Sequence, residues 1–164
     1  MRGPISSRAW AGDTGSTPIS GISSWRQSVQ NSDRVSKGIA DILDAQAEMR
    51  NILSVGKEAF LSDRKNSLAV KYLLIEAVEA IADVCQHLLA KTKGVACSGY
   101  VDCIVKAGAN GIIRPELANK LRKLADLRNS LIHRYWIIND EELFAQCGNN
   151  MGDFSDFVRQ IGKV

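Results

Sequence analysis

The sequence predicts an all-α protein, an antiparallel four-helix bundle with an additional short helix. Apolar residues recur at spacings of three and four over most of the chain, the period that places them on one face of a helix. Glycine and proline lie mainly between these segments rather than within them, as expected of residues that end helices. No stretch alternates apolar and polar residues between hairpin turns, so the sequence predicts no strand.

The composition is that of an ordinary globular domain. Hydrophobic residues make up 45% and charged residues 24% of the 164 residues, and the net charge is +3. A body of roughly 130 residues buries an adequate core, and a mild charge neither demands nor excludes a nucleic-acid partner. No apolar run approaches the ~18 residues of a membrane span, and the N-terminus lacks the apolar core of a secretory signal. We therefore expect a cytoplasmic protein without a membrane partner.

The chain divides into two parts by composition. Residues 1–31 are rich in Gly, Pro, Ser and Thr, and such a segment cannot bury enough apolar surface to offset its chain entropy. We expect residues 1–31 to be a flexible N-terminal extension and residues 32–164 to be the helical domain.

The first half of the domain is predicted to contain two helices and a short turn. Ser32 or Ser36 is suited to cap the first helix, which is expected to end near Gly56. Residues 57–62 form a turn in this interpretation. A long helix then follows over residues 64–93, because its apolar residues repeat at spacings of four and three.

The second half is predicted to contain three helices. The first covers residues 98–107 and is short. The next covers residues 115–136, with Pro115 in the first turn, where proline is tolerated. Asn139 is suited to cap the last helix, and the run Gly148-Asn149-Asn150 is a candidate break or kink within it.

The cysteines and histidines do not indicate a metal centre. None of the four cysteines forms a CxxC pair, and two histidines are too few for a usual zinc cluster. Cys97 and Cys103 are the one close pair. In a reducing cytosol we expect them to be free thiols rather than a disulfide. We expect neither a metal nor a cofactor.

The most informative feature is the run 127–135, which carries Arg128, His133 and Tyr135. Arg128 lies in a hydrophobic seam, where an unpaired charge is costly unless it has a partner or a function. Arg128 and His133 are about 140° apart around a helix. Either the arginine bends toward the imidazole, or two copies of the helix form a composite site across a two-fold axis. The seam consists of Leu117, Leu121, Leu124, Arg128, Leu131, Tyr135 and Ile138.

These residue types suit metal-free cleavage of RNA. Arginine presents a planar fork to phosphate, and histidine moves protons near neutral pH. His133 would take the proton of a ribose 2′-hydroxyl or protonate the leaving oxygen, and Arg128 would stabilise charge on the phosphate. Asn129 offers a neutral donor and acceptor. Basic residues on the same helix would suit a polyanion; they are Arg114, Lys120, Arg122, Lys123 and Arg134.

A structural interpretation remains open, and spacing alone favours it because short motifs give many false positives. Arg128 could pair with Glu76, Glu79 or Asp83 of the long helix, and His133 could be a capping or interface residue. The three acids lack a well-placed histidine for a metal site, so we expect them to pair with arginines or to be solvated. Asp83 is also a candidate to orient the site residues by contacting them without contacting the substrate.

The run Arg-x4-His-x-Tyr at residues 128–135 resembles the motif of HepT-like toxins, which belong to the HEPN superfamily and occur in MNT/HepT toxin–antitoxin systems. Other segments also resemble the family in order and spacing. They are residues 58–61, 75–87, 111–113 and 136–139. The resemblance runs from about residue 33 to the C-terminus and implies a HEPN-like bundle.

The resemblance implies a metal-independent endoribonuclease that acts as a homodimer, in which the two motif helices form the cleft. It implies that Arg128 and His133 are essential and that Asn129 supports them. It further implies an MNT-type nucleotidyltransferase antitoxin that attaches AMP to Tyr135. RNA is then the expected substrate, and DNA is not. The alternative is a non-catalytic HEPN-like module that binds nucleotide or RNA, or docks the nucleotidyltransferase.

Overall fold

The computed structural model describes residues 20–164, without the side chains of residues 20–25, 27–29 and 31. Within that range the chain forms six α-helices and no strand. Four long helices build the bundle, so the predicted all-α class is confirmed. The bounds are α1 Ser20–Leu53, α2 Lys57–Ser62, α3 Arg64–Lys93, α4 Tyr100–Ala109, α5 Pro115–His133 and α6 Asp140–Ile161.

Several helix ends follow the local chemistry that predicted them. Gly94 closes α3 with a left-handed φ of 63°, a conformation that glycine adopts without a steric penalty. Pro115 begins α5, and the Asn139 side chain accepts a hydrogen bond from the Glu141 N–H at 2.8 Å at the start of α6. The predicted end of α5 near Trp136 is wrong, because the helix ends at His133.

Two predictions about helix continuity are wrong. Helix α1 begins at Ser20, so Ser32 and Ser36 lie inside it and do not cap it; exposed serines cost a helix only a fraction of a kcal/mol (about 0.5). Residues 1–19 of the predicted extension lie outside the described residues. Helix α6 continues through residues 148–150, because its buried side chains on either side, Cys147 and Met151, anchor it to the core.

The core lies where the four long helices meet. Helix α1 packs mainly on α3, and α4 packs on both α3 and α5. The contact between α4 and α5 is close at Gly108, where an added Cβ would lie 2.5 Å from the Cβ of Ala118. The largest fully buried side chains include Ile42, Met49, Phe60, Leu74, Ile81, Leu121, Leu124, Phe154 and Phe157.

The prediction that Cys97 and Cys103 are free thiols is wrong. The two residues form a disulfide, with their Cα atoms 5.2 Å apart. Gly99 lies between them with a φ of 82°, and this turn brings the two side chains together at the start of α4. The other cysteines, Cys85 and Cys147, are buried, and burial raises the pKa of each thiol to about 12.

Across residues 20–164, no helix is both long enough and apolar enough to span a membrane.

Candidate active site

Arg128 lies on α5 with 8% of its surface exposed. Its Nη2 donates to Glu79 Oε1 at 2.6 Å, and its Nη1 donates to Asn129 Oδ1 at 3.2 Å. The guanidinium Cζ lies over the ring of Tyr100, 4.2 Å from the ring centroid. Its Nε is buried without a hydrogen-bond partner among the described residues. The arginine is therefore held by three side chains from α3, α4 and α5.

The Glu79 contact is one of the carboxylate pairs that the structural interpretation predicted. The glutamate side chain remains 45% exposed, so the pair is not sealed inside the core. Glu79 and Tyr100 line a groove of about 330 Å³ together with Asp41, Glu76 and Asp83. In the single chain this groove is acidic, and an entering phosphate would have to displace the Glu79 carboxylate from Arg128 or bind beside it.

Asp83 lines the same groove but does not contact Arg128. Its carboxylate lies 3.6 Å from the guanidinium of Arg34 on α1, with both side chains largely exposed. Glu79, four residues earlier on α3, makes the contact with Arg128 instead. The sequence included Glu79 only among candidate structural partners, and it did not indicate Tyr100, because no sequence spacing connects α4 to α5.

His133 is the last residue of α5 and is exposed. Within the described part of the chain, it forms no hydrogen bond with Arg128, whose partners are Glu79 and Asn129. The helix ends directly afterwards, where the Arg134 N–H donates to the Ser130 carbonyl at 2.8 Å. One chain thus presents the arginine at the α3–α5 contact and the histidine at the helix end.

Tyr135 lies in the turn that follows α5 and is 68% exposed. Its ring packs edge-on against Trp136, with the ring centroids 5.3 Å apart and an interplanar angle of 83°. The turn therefore presents a phenol to solvent two residues after His133.

The predicted basic stripe on α5 is partly neutralised. Lys120 lies 3.3 Å from the carboxylate of Asp153, and Arg114 lies 3.4 Å from that of Asp156. Arg122 is 3.9 Å from Asp126. In the described part of the chain, the positive charges on this helix are therefore distributed among acidic neighbours rather than concentrated as one patch.

The bundle has the fold of HEPN toxins. It is similar to a tri-AMPylated Shewanella oneidensis HEPN toxin solved in complex with an MNT antitoxin, with a TM-score of 0.75, 22% identity, and coverage of 80% of this chain and 98% of that chain. It is also similar to a chain of a toxin–antitoxin MntA–HpeT structure, with a TM-score of 0.72, 22% identity, and coverage of 80% and 99%.

The sequence matches the family described as ribonuclease HepT-like over residues 42–161. The chain therefore belongs to the ribonuclease HepT-like family, and the predicted resemblance to HepT-like toxins is confirmed. One curated relative, the tRNA nuclease HepT of Aphanizomenon flos-aquae, is 26% identical over 113 residues, which is 69% of this chain and 77% of that protein.

Proposed function

We propose that this chain is the toxin of a toxin–antitoxin pair and a metal-independent endoribonuclease that acts in the cytoplasm. The observation that carries the proposal is the Arg-x4-His-x-Tyr run at the end of α5 in a chain of the ribonuclease HepT-like family. The relative named a tRNA nuclease supports an RNA substrate. The similarity to a toxin bound to an MNT antitoxin supports a nucleotidyltransferase partner.

In the proposed mechanism Arg128 binds the scissile phosphate and stabilises the charge that grows on it. The guanidinium has five N–H donors, and two of them are used by Glu79 and Asn129, so an entering phosphate can take others or replace the glutamate. His133 takes the proton of the attacking 2′-hydroxyl or supplies one to the leaving oxygen. Asn129 holds the guanidinium edge.

We propose that the cleft is composite, because His133 forms no hydrogen bond with Arg128 within one described chain. A two-fold axis that brings two α5 helices together would place the arginine of one protomer near the histidine of the other. Mixing the Arg128→Ala and His133→Ala proteins tests this arrangement. If the site is composite, half of the dimers are mixed and each has one intact site, so about a quarter of the activity returns. If each site lies within one protomer, mixing restores nothing.

The nuclease proposal is tested with purified protein and RNA. The wild type is expected to cut RNA in the presence of EDTA, whereas Arg128→Ala and His133→Ala are expected to lose at least about a hundredfold in rate. Cleavage that persists in both variants would contradict the mechanism, and cleavage abolished by EDTA would contradict metal independence.

A non-catalytic module is the second candidate, and the Arg128–Glu79 contact favours it because the cation is already neutralised in the single chain. Such a module would bind RNA or nucleotide, or dock the nucleotidyltransferase. A wild type that binds RNA without cutting it would support this candidate.

We propose that the antitoxin inactivates the toxin by adding AMP to Tyr135, whose side chain is exposed. The phenol oxygen would attack the α-phosphorus of ATP, pyrophosphate would leave, and the phenol would lose its proton. The added phosphate and nucleoside would repel and obstruct RNA. After co-expression with the cognate nucleotidyltransferase, the intact mass should rise by AMP, and Tyr135→Phe should abolish the rise. A gain that survives the substitution would place the modification elsewhere.

A further inference from the structure

We propose that Tyr100 is a positioning residue for Arg128: its ring holds the guanidinium in the orientation that binds RNA phosphate. In the oxidised form of the protein, the Cys97–Cys103 disulfide also holds the ring in place. This inference rests on the proposed function. Arg128 Cζ lies 4.2 Å from the centroid of the Tyr100 ring, inside the ~6 Å over which an arginine and an aromatic face attract each other.

A neutral ring can hold Arg128 in a way that Glu79 cannot. Glu79 accepts a hydrogen bond from Nη2 at 2.6 Å, so it occupies a donor and opposes the positive charge. All five N–H donors of a guanidinium lie in its plane. The Tyr100 ring, 4.2 Å from Cζ, carries no charge and accepts neither of the two guanidinium hydrogen bonds, so it attracts the cation without competing with a phosphate for those donors. When a phosphate replaces the Glu79 carboxylate, the ring contact can persist and keep the cation in place.

The segment that carries Tyr100 is itself restrained. Tyr100 is the first residue of α4 and lies between the two cysteines of the Cys97–Cys103 disulfide. Inside this small loop, the Ser98 N–H donates to Asp102 Oδ2 at 2.8 Å. Cys103 is only 4% exposed, so one end of the loop is anchored in the core. The ring is thus attached to a rigid part of the molecule, as positioning requires.

Steady-state kinetics of two variants test the ring. Tyr100→Phe keeps the aromatic face and is expected to retain kcat within about twofold. Tyr100→Leu removes the face but remains apolar, and kcat is expected to fall on the order of tenfold while KM changes less, because the orientation matters most as charge grows in the transition state. A Tyr100→Leu protein with the kcat of the wild type would overturn the inference.

A fluorinated series separates positioning from packing. Phenylalanine analogues with one, two and three fluorines at position 100 keep the ring shape and progressively weaken the negative potential of its face. Log kcat is expected to fall along the series, while the melting temperature falls only slightly, because one cation–π contact contributes only about 0.5–2 kcal/mol to stability. The same series at Phe144, which packs on Phe60 with ring centroids 5.1 Å apart, is the control and should leave kcat unchanged. A flat series at position 100 would overturn the inference even if Tyr100→Leu were unfolded.

The disulfide is tested by Cys97→Ser with Cys103→Ser. Loss of the restraint is expected to lower kcat about two- to fivefold in the Tyr100 protein and to have no further effect in the Tyr100→Leu protein, as coupled residues require. An equal loss in both backgrounds would mean that the disulfide acts independently of the ring.

Failure of this inference can be distinguished from failure of the proposed function. If the wild type does not cut RNA, or if Arg128→Ala cuts as well as the wild type, the proposed function has failed. In that case the ring contact is still measured by NMR: the guanidinium hydrogens of Arg128 should be shifted upfield by the Tyr100 ring and should lose this shift in Tyr100→Leu. The absence of such a shift would contradict the contact itself.

Discussion

The pair of Arg128 and Glu79 joins a nearly buried cation to a half-exposed carboxylate. The side chains are 10% and 45% exposed, so the desolvation cost falls mainly on the arginine. Its buried Nε, without a partner among the described residues, adds a further cost of about 1–3 kcal/mol. Arg128 therefore makes the free energy of folding less favourable. A charged residue kept in a hydrophobic seam despite this effect is expected to have a function.

This cost makes stability and activity separable at Arg128. We expect the free energy of unfolding of Arg128→Leu to lie within about 1 kcal/mol of the wild-type value, or above it. The apolar side chain removes the desolvation penalty of the arginine, and Glu79 remains accessible to water. The same variant should have no ribonuclease activity. Thermal melts and RNA cleavage assays check the two parts. A large loss of stability would mean that the arginine is mainly structural.

The contact between α4 and α5 places Tyr100 over Arg128. The two helices approach closely because Gly108 has no side chain, and an added Cβ would lie 2.5 Å from that of Ala118. Gly108 lies in the last turn of α4 and Ala118 in the first turn of α5, and both are buried, so neither backbone can move there without shifting its packed neighbours. The position of Tyr100 over Arg128 therefore depends on the absence of a side chain at Gly108 of α4.

Gly108→Ala is expected to destabilise the protein by about 1–3 kcal/mol, because the new methyl group forces α4 away from α5. Chemical denaturation measures the change. Gly148→Ala on α6 is the matched control: nothing lies within 4 Å of the added Cβ, so alanine should stabilise the helix by about 0.5–1 kcal/mol. Equal effects of the two substitutions would show that α4 adjusts freely.

A second element-scale prediction concerns His87 of α3. Burial, and then the nearby cations Arg34 and Lys91, lower its pKa below the ordinary 6.5, while Asp83 opposes them. The unfolded chain thus binds a proton at His87 more readily than the folded chain does. Its contribution to stability is fully present above pH 6.5 and is lost as the pH falls through 6.5 toward the folded pKa.

We expect the melting temperature to fall between about pH 7.5 and about pH 5, and to fall less in His87→Gln. Asp140 and Asp156 do not obscure this window. Burial is the largest single influence on the pKa of Asp140 and of Asp156 and raises it, but hydrogen bonds and nearby cations, chiefly Lys71 and Arg159 respectively, together bring each pKa below the ordinary 3.8. Their contributions are lost only at lower pH. Parallel pH profiles for the two proteins would contradict the prediction.

At the scale of the whole molecule, one face of α3 leads from exposed apolar residues to the site. Leu68 and Tyr72 are 51% and 67% exposed, and Glu76 and Glu79 follow them at spacings of four and three, on the same side of the helix. Exposed apolar residues next to a site suit an interface between protein chains. This face is consistent with the proposed homodimer.

Tyr72→Glu is expected to convert the proposed dimer to a monomer and to reduce RNA cleavage at least about tenfold, because a charge at an apolar interface is costly. Light scattering gives the mass, and the melting temperature confirms that the monomer is folded. Val55→Glu, at a position 54% exposed in the turn after α1, is the control and should remain dimeric. A dimeric Tyr72→Glu protein would place the interface on another face.

The sequence alone determined the helices and the motif, because both depend on residues close together in the chain. The apolar spacing of α3, Pro115 at the start of α5 and Asn139 at the start of α6 act locally, and so does the run at residues 128–135. Boundaries without such a signal were mispredicted, as at Ser20.

Only the tertiary structure decided which of several acids Arg128 contacts. Glu76, Glu79 and Asp83 share one face of α3, and the choice of Glu79 depends on how far α5 is shifted and rotated against α3. The contacts of Tyr100 and the pairing of Cys97 with Cys103 likewise depend on the path of the chain into α4. Such distances are set by the packing of side chains from several helices, and no spacing within one helix encodes them.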